Sequence, residues 1–519
     1  MSSKKFFVVK IAAIVALGGF LLGFDASVIS GVVKFIEPEF NLTKLELGWA
    51  VSSITLTAAL GMMIAGPMSD KHGRRKILKF AAILFTISAA GSALAGTFIS
   101  LIIFRMIGGL AVGAALIIAP MYIAEVAPPE KRGQLVSFNQ LNIVIGISIA
   151  FFTNYLILKW GNSDAEWTKT FGFDKWNWRW MLGLEAIPAI LYYLGLFIVP
   201  RSPRWLMTQN KKEEALVVMK KVVSENEAIS QLNEVEQSIA EDKNKTKSKI
   251  SDLFKKNMRK VIVIGLIVGI FQQIVGINAV LFYAPMIFEQ TGIGTDASFI
   301  QAALVGVTNL GFTILAILTI DKFGRKPLLI IGMVGIAISL FLLSYGFSEA
   351  TYTLNETAIS NLPAEINQTK ILQLKDKVFE SDIDFKAALT STLGEEAALT
   401  HESTLITASA NMNTILILIG IIGFVGAFAM SIGPVMWVLF SELFPNKIRG
   451  LAISFVGLIN LAVAFLVQLL FPWQLAEIGN TNTFLLFGVF AVIGLVLIWI
   501  KVPETKGKSL EELEELLVK

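Results

Sequence analysis

Gln272-Gln-Ile-Val-Gly-Ile-Asn-Ala-Val-Leu-Phe-Tyr-Ala-Pro285 lies inside an apolar run from Val261 to Phe288. Gln272, Gln273 and Asn278 bring amide donors and acceptors into that run. Lipid offers such groups no partner, so they must face protein, water or a ligand. Gly276 and Pro285 weaken the helix on either side of Asn278. A polar, breakable helix at membrane depth is the sequence sign of a transporter binding site. The alternative is adhesion between helices, since Asn and Gln also bond across membrane bundles.

The composition outside this stretch supports a membrane setting. The 519 residues are 54% hydrophobic and only 16% charged, against about 25% charged in soluble domains; the mean hydropathy is +0.67. There is no cysteine, which excludes a disulfide, thiol catalysis and a cysteine metal site. His72 and His401 are the only histidines, which excludes a histidine-rich metal site. No nucleotide-binding loop or catalytic triad is present, so we expect neither an enzyme nor a cofactor, and no nucleic-acid partner. The basic Met1–Lys10 segment and the first apolar run lack a small-residue cleavage site, and are read as a retained first helix.

Runs of about 20 apolar residues can cross a bilayer. Twelve are expected, at 10–30, 48–68, 77–97, 99–122, 135–158, 180–199, 261–288, 299–320, 327–347, 412–440, 450–472 and 483–501. With the N-terminus inside, 33 of the 44 Lys and Arg fall in internal segments and 10 in external ones. That bias predicts cytoplasmic termini. Asp70-Lys-His-Gly-Arg-Arg-Lys76 after the second span returns 251 residues later as Asp321-Lys-Phe-Gly-Arg-Lys326 after the eighth. Glu125 to Arg132-Gly133, after the fourth, returns 317 residues later as Glu442 to Arg449-Gly450, after the tenth. The six-span offset predicts an all-α membrane protein of two pseudo-symmetric six-helix halves, 1–199 and 261–501. A cytoplasmic helical linker, 200–260, joins them, an external insertion occupies 348–411, and 502–519 form a cytoplasmic tail. Two parallel halves with a midplane site suit a rocking carrier. The insertion carries Asn355-Glu-Thr and Asn367-Gln-Thr, which are glycosylation sequons in a eukaryotic host, as is external Asn41-Leu-Thr.

At this point the chain resembles the sugar porters of the major facilitator superfamily over nearly its whole length. The motifs are Asp70–Arg75, Pro200-Arg-Ser-Pro-Arg-Trp-Leu206, Gln272–Pro285, Asp321–Lys326, Gly433-Pro-Val-Met-Trp437, Glu442–Gly450 and Pro503-Glu-Thr-Lys-Gly507. Phe24–Gly31, Ala119–Glu125 and Phe428–Ser431 are similar to its proton-coupled bacterial members. The resemblance implies sugar contacts at Gln140, Gln272, Gln273, Asn278, Tyr283, Asn309, Trp437 and Asn460. The chemistry fits, because a sugar hydroxyl donates and accepts as a neutral amide does, and an indole packs on the ring's apolar face. Leu461 stands where relatives often have Trp, and Arg201 where the family usually has Glu.

Asp25, Arg105 and Glu185 are ionisable residues inside spans of the first half, each costing about 2.5–3.5 kcal/mol at a helix centre. The resemblance makes Asp25 the proton-linked carboxylate, Arg105 its basic partner and Glu185 a second acid. It also implies a cytoplasmic gate of Asp70, Arg74, Arg75, Glu125, Arg132, Asp321, Arg325, Glu442 and Arg449. The expected function is import of a neutral pentose or hexose by proton symport through alternating access. The expected setting is a monomer in the lipid bilayer of the cell membrane. The alternatives are a facilitative sugar uniporter, with Asp25 and Arg105 a fixed pair, and a transporter-like sugar sensor. Sensors usually carry long cytoplasmic tails, which this chain lacks.

Overall fold

Polar groups interrupt the apolar helices at a few positions, and those interruptions decide where functional side chains sit. A computed structural model describes residues 3–128, 131–244, 250–445, 448–508 and 510–518. The side chains of Arg132, Lys243 and Asp321, and residues 245–249 of the basic run Lys243–Lys249, lie outside the described set. The first five helices are α1 (Ser3–Glu39), α2 (Lys44–His72), α3 (Arg74–Ala93), α4 (Phe98–Val126) and α5 (Arg132–Gly161). Short α6 (Glu166–Thr170) precedes α7 (Asn177–Gly183) and α8 (Ala186–Gly195). A polar segment follows with α9 (Pro203–Thr208), α10 (Lys212–Lys220), α11 (Glu225–Asn244) and α12 (Ile250–Leu253). Helices α9, α10 and α11 share a small core of Leu206, Met207, Ala215, Val218, Met219 and Leu232.

The chain then forms α13 (Arg259–Ile274), α14 (Ile277–Phe282), α15 (Ala284–Glu289), α16 (Thr295–Phe323) and α17 (Arg325–Ser348). Next comes an inserted module: β1 (Thr351–Thr353), α18 (Glu356–Ser360), α19 (Gln368–Ile371), β2 (Val378–Phe379), α20 (Asp382–Leu393), α21 (Glu395–Thr400), α22 (Glu402–Ser409) and β3 (Ala410–Asn411). Last are α23 (Thr414–Met430), α24 (Ile432–Leu443), α25 (Arg449–Glu477), α26 (Gly479–Lys501) and α27 (Leu510–Val518). Among the described residues, eleven helical stretches are long and apolar enough to cross a membrane, with α13–α14 and α23–α24 each counting as one.

The sixth expected span, 180–199, is α7 followed by α8, so it is not one helix. Pro188 has no N–H to give to the Leu184 carbonyl, which instead receives Ile187 N at 3.2 Å. Glu185 sits in that break. The two breaks expected around Asn278 are present. Gly276 takes a left-handed conformation (φ 89°), and a Cβ there would stand 2.5 Å from the Phe487 ring. The second break falls at Tyr283, two residues before Pro285.

The inserted module has its own core: Tyr352, Ile359, Ile371, Phe385, Leu389, Leu405 and Ile406 are buried together. Tyr352 stacks on Phe385 at 5.4 Å. Its strands run in the order β2-β1-β3, both pairs antiparallel. Asn355 and Asn367, the sequon asparagines, are helix N-caps, accepting from Ala358 N (2.7 Å) and Lys370 N (3.1 Å).

Contacts divide the chain into two compact units: residues 1–27, 53–150 and 179–249, and residues 28–52, 151–178 and 250–519. In the first, glycines bring helices together: a Cβ on Gly23 would lie 1.9 Å from the Ile143 carbonyl oxygen, so α1 and α5 touch through backbone. In the second, Gly48 meets the Leu469 carbonyl at 2.0 Å in the same sense. Ile99, Ile103, Ile415 and Trp499 are exposed on helix surfaces, the arrangement of side chains that face lipid rather than water.

Candidate functional site

In the second unit four of the expected sugar contacts form one amide network. The left-handed turn at Gly276 returns Asn278 toward Gln273, and Asn278 Nδ2 donates to Gln273 Oε1 at 2.8 Å. Gln273 Nε2 donates to Gln272 Oε1 (3.1 Å) and to Asn460 Oδ1 (3.3 Å). Asn460 Nδ2 donates to Gln272 Oε1 (2.7 Å) and to the Gly269 carbonyl (2.8 Å). Gln272 Nε2 closes the set on the Gly433 carbonyl at 3.3 Å, where α24 begins. Gln272 and Asn460 are buried; Gln273 and Asn278 are half-buried at the open edge. Amides bonded to amides carry no net charge, and each bond can be exchanged for one to a ligand hydroxyl.

The other expected contacts come from α5, α16, α24 and the break at Tyr283. Tyr283 is fully buried, its hydroxyl donating to the Gln468 carbonyl at 3.1 Å and its ring against Phe471. Asn309 is buried on α16. Trp437 is 39% exposed on α24, edge-on to Phe440 at 6.0 Å. Gln140 is half-buried on α5, in the first unit.

The first unit brings together the three ionisable residues. Arg105 Nη1 lies 3.5 Å from Asp25 Oδ1, with both side chains buried. Glu185, from the α7–α8 break, is also buried and within electrostatic range of both. Asp25 Oδ2 and Glu185 Oε1 are buried without a hydrogen-bond partner. Gly108 makes room for the cluster: a Cβ there would stand 2.4 Å from Ser88 Oγ and 2.9 Å from Asp25 Oδ2. Two carboxylates and one guanidinium sum to one negative charge, and a single proton makes the group neutral.

Each unit repeats one latch. In the first, Arg74 reaches Glu125 at 3.0 Å and Asp70 at 2.7 Å, and the Ser202 hydroxyl donates to the other oxygen of Glu125. In the second, Arg325 reaches Glu442 at 2.8 Å and Thr505 Oγ1 donates to Glu442 Oε2 at 2.6 Å. Arg75 pairs with no acid in these contacts and donates to the carbonyls of Leu196 and Phe197. Arg449 Nε donates to the Phe444 carbonyl at 3.0 Å. Sequence reasoning named the arginines and acids and missed the hydroxyls. Their signal is that Ser202 and Thr505 each stand two residues after a proline, Pro200 and Pro503. It also missed Glu504, whose carboxylate accepts from Arg325 N and Lys326 N, both at 3.1 Å. Among the described residues no group of three or more His, Cys, Asp or Glu is placed to hold a metal.

The sugar (and other) transporter family model matches residues 11–363 and 388–517. The D-xylose-proton symporter of Escherichia coli (strain K12) is 37% identical, over 98% of this chain and 96% of that protein. The arabinose-proton symporter of Bacillus subtilis (strain 168) is 35% identical, over 99% and 96%. Among solved structures, an inward open conformation of the xylose transporter XylE from E. coli superposes with a TM-score of 0.74 at 35% identity, covering 98% of this chain and 100% of that one. The major facilitator superfamily proton:xylose symporter XylE bound to 6-bromo-6-deoxy-D-glucose gives 0.69 at 35%, covering 99% and 100%. The chain therefore belongs to the sugar transporter family and has the twelve-helix fold of the major facilitator superfamily.

Proposed function

We propose that this protein is a secondary active transporter that imports a neutral monosaccharide together with a proton by alternating access. The observation that carries the coupling is the buried Asp25–Arg105 pair with Glu185 beside it, one proton short of neutrality. The xylose-proton and arabinose-proton symporters among its relatives support the same reading. Gln272, Gln273, Asn278 and Asn460 bind sugar hydroxyls; Tyr283, Asn309 and Trp437 of the second unit and Gln140 of the first are the other proposed sugar contacts.

The charge count gives the sequence of events. Ionised Asp25 is held by Arg105. A proton on Asp25 cancels its charge and loosens the pair, which lets the carrier occlude sugar and turn inward. The proton leaves to the cytoplasm, the pair re-forms and the empty carrier returns. One charge moved through 100 mV is worth about 2.3 kcal/mol, enough for roughly 50-fold accumulation at about 1.4 kcal/mol per tenfold.

The domain layout belongs to this proposal: six-helix halves 1–199 and 261–501, linker 200–260, external insertion 348–411 and tail 502–519. So do cytoplasmic termini, placement in the cell membrane and a monomeric state. The paired acids and arginines of the two latches hold the cytoplasmic side shut in one state and separate in the other.

The test is uptake of labelled pentoses and hexoses into proteoliposomes, with and without an inward proton gradient. Wild type should accumulate one sugar only with the gradient. Asp25→Asn should exchange sugar without accumulating it; retained accumulation would remove Asp25 from the coupling. Sugar that merely equilibrates in wild type would make the protein a uniporter.

A further inference from the structure

A cavity of about 1250 Å³ lies in the second unit, apart from the amide network. The end of α1, the start of α2, the α15–α16 turn and helices α18, α21 and α22 of the inserted module line it, and it is open on one side. We infer that this cavity is a second saccharide-binding site, built by the inserted module and separate from the transport site.

Its walls are held by charges that cancel. Lys34 Nζ donates to Glu289 at 2.6 Å, to the Thr295 hydroxyl and to Ser403 at 3.5 Å, while Ser403 Oγ donates to Glu289 at 3.1 Å. Lys44 reaches Glu37 at 2.6 Å and Glu402 at 3.4 Å, and behind it Lys386 reaches Glu402 at 3.2 Å. Three lysines thus meet three glutamates, and Lys44–Glu402 together with the Ser403 hydrogen bonds joins the module to the helices. Glu395 and Glu396 add charge only from exposed positions. An ionic ligand would leave half of each pair without compensation. A hydroxyl would not, because it accepts from the ammonium and donates to the carboxylate.

Two further groups point to a polyol. Gln290 lines the cavity, is 6% exposed, and its side-chain oxygen has no hydrogen-bond partner. That oxygen is shielded where it stands, and a buried acceptor in that condition is costly until the side chain turns to meet a donor. Phe35, half-buried in the lining, offers a ring to the apolar face of a pyranose. The volume exceeds the ~300–1,000 Å³ of common small-ligand pockets, leaving room for a disaccharide. The inference rests on the proposed function only for its choice of control sugar.

The experiment is equilibrium dialysis of the full-length protein in detergent with labelled maltose, and in parallel with labelled D-glucose and D-xylose. Maltose should bind saturably to wild type and to Asn460→Ala alike. Gln290→Leu and, independently, Asn361→Ala from the exposed edge of the lining should weaken maltose at least fivefold. Both should leave binding of D-glucose or D-xylose at the transport site unchanged. Thermal melting confirms that each variant is folded. Absence of saturable maltose binding, or maltose affinity unchanged in both cavity variants, overturns the inference. Loss of every binding event in Asn460→Ala overturns it too and leaves the transport site standing. Failure of wild type to bind any of the three sugars sinks both readings.

Discussion

Arg201→Glu should stabilise this protein, although it exchanges a cation for an anion on a basic surface. The second latch shows why. After Pro503, Glu504 accepts from the first N–H groups of α17, and its carboxyl is held below the usual range. Burial pushes that carboxyl up, but the backbone donors of Lys506, Arg325 and Lys326 outweigh it. After Pro200, Arg201 stands at the matching place, since Ser202 serves Glu125 as Thr505 serves Glu442. The matching helix, α3, begins at Gly73 (φ 91°) with no side-chain cap and no acid in its first turn. Arg201 instead pairs with Glu214 at 3.5 Å, both about half exposed. Supplying a carboxylate cap is worth ~0.5–2 kcal/mol. Losing the exposed pair costs ~0–1 kcal/mol. The balance is a gain of about 1 kcal/mol, or roughly 2–4 °C of melting temperature for a unit of this size. The assay is tryptophan-fluorescence melting in one detergent at one pH. Glu504→Arg, the mirror change, should melt lower by a similar amount. If Arg201→Glu melts at or below wild type while Glu504→Arg is neutral, the equivalence of the two latches is wrong.

Three further expectations follow from other contacts. Asn460→Ala removes the residue that bonds Gln272, Gln273 and the Gly269 carbonyl, so sugar affinity measured by dialysis should fall at least tenfold, about 1.4 kcal/mol. Gly108→Ala drives a methyl against Ser88 Oγ and Asp25 Oδ2, at a cost of ~1–3 kcal/mol; uphill uptake should drop more than equilibrative exchange. Glu402 gives a pH signature: burial alone would push its carboxyl up, but Lys386 and Lys44 bring it down from 4.5 to about 2. A depressed carboxyl stabilises the folded state above about pH 4.5, and that stability is lost as pH falls toward about 2. The shift corresponds to roughly 3 kcal/mol. The melting difference between wild type and Glu402→Gln should therefore be large at pH 6 and shrink at pH 3.

What the sequence made legible follows the cost of each group in lipid. Long apolar runs and the six-span repeat were readable because hydrocarbon enforces length and forbids unpaired backbone. Gln272, Gln273 and Asn278 stood out because amides are conspicuous in an apolar run, and the Gly276 turn that folds Asn278 back onto Gln273 was signalled by its glycine. Asp25 and Arg105 were legible for the same reason, and they form a pair. The module was not. Its strands are two or three residues long and leave no alternation to detect, so helical composition was visible and the three-stranded sheet was not. The latches were half legible, because charged residues at helix ends advertise themselves while the hydroxyls of Ser202 and Thr505 look like any loop residue. Glu289 was missed because it closes an apolar run and reads as a helix end. Its partners, Lys34 and Ser403, lie 255 and 114 residues away. Local pattern therefore reports what lipid demands of each residue, whereas polar groups outside the spans are fixed by partners distant in sequence. In this chain those distant pairings join the inserted module to the ends of α1, α2 and α15 around one cavity.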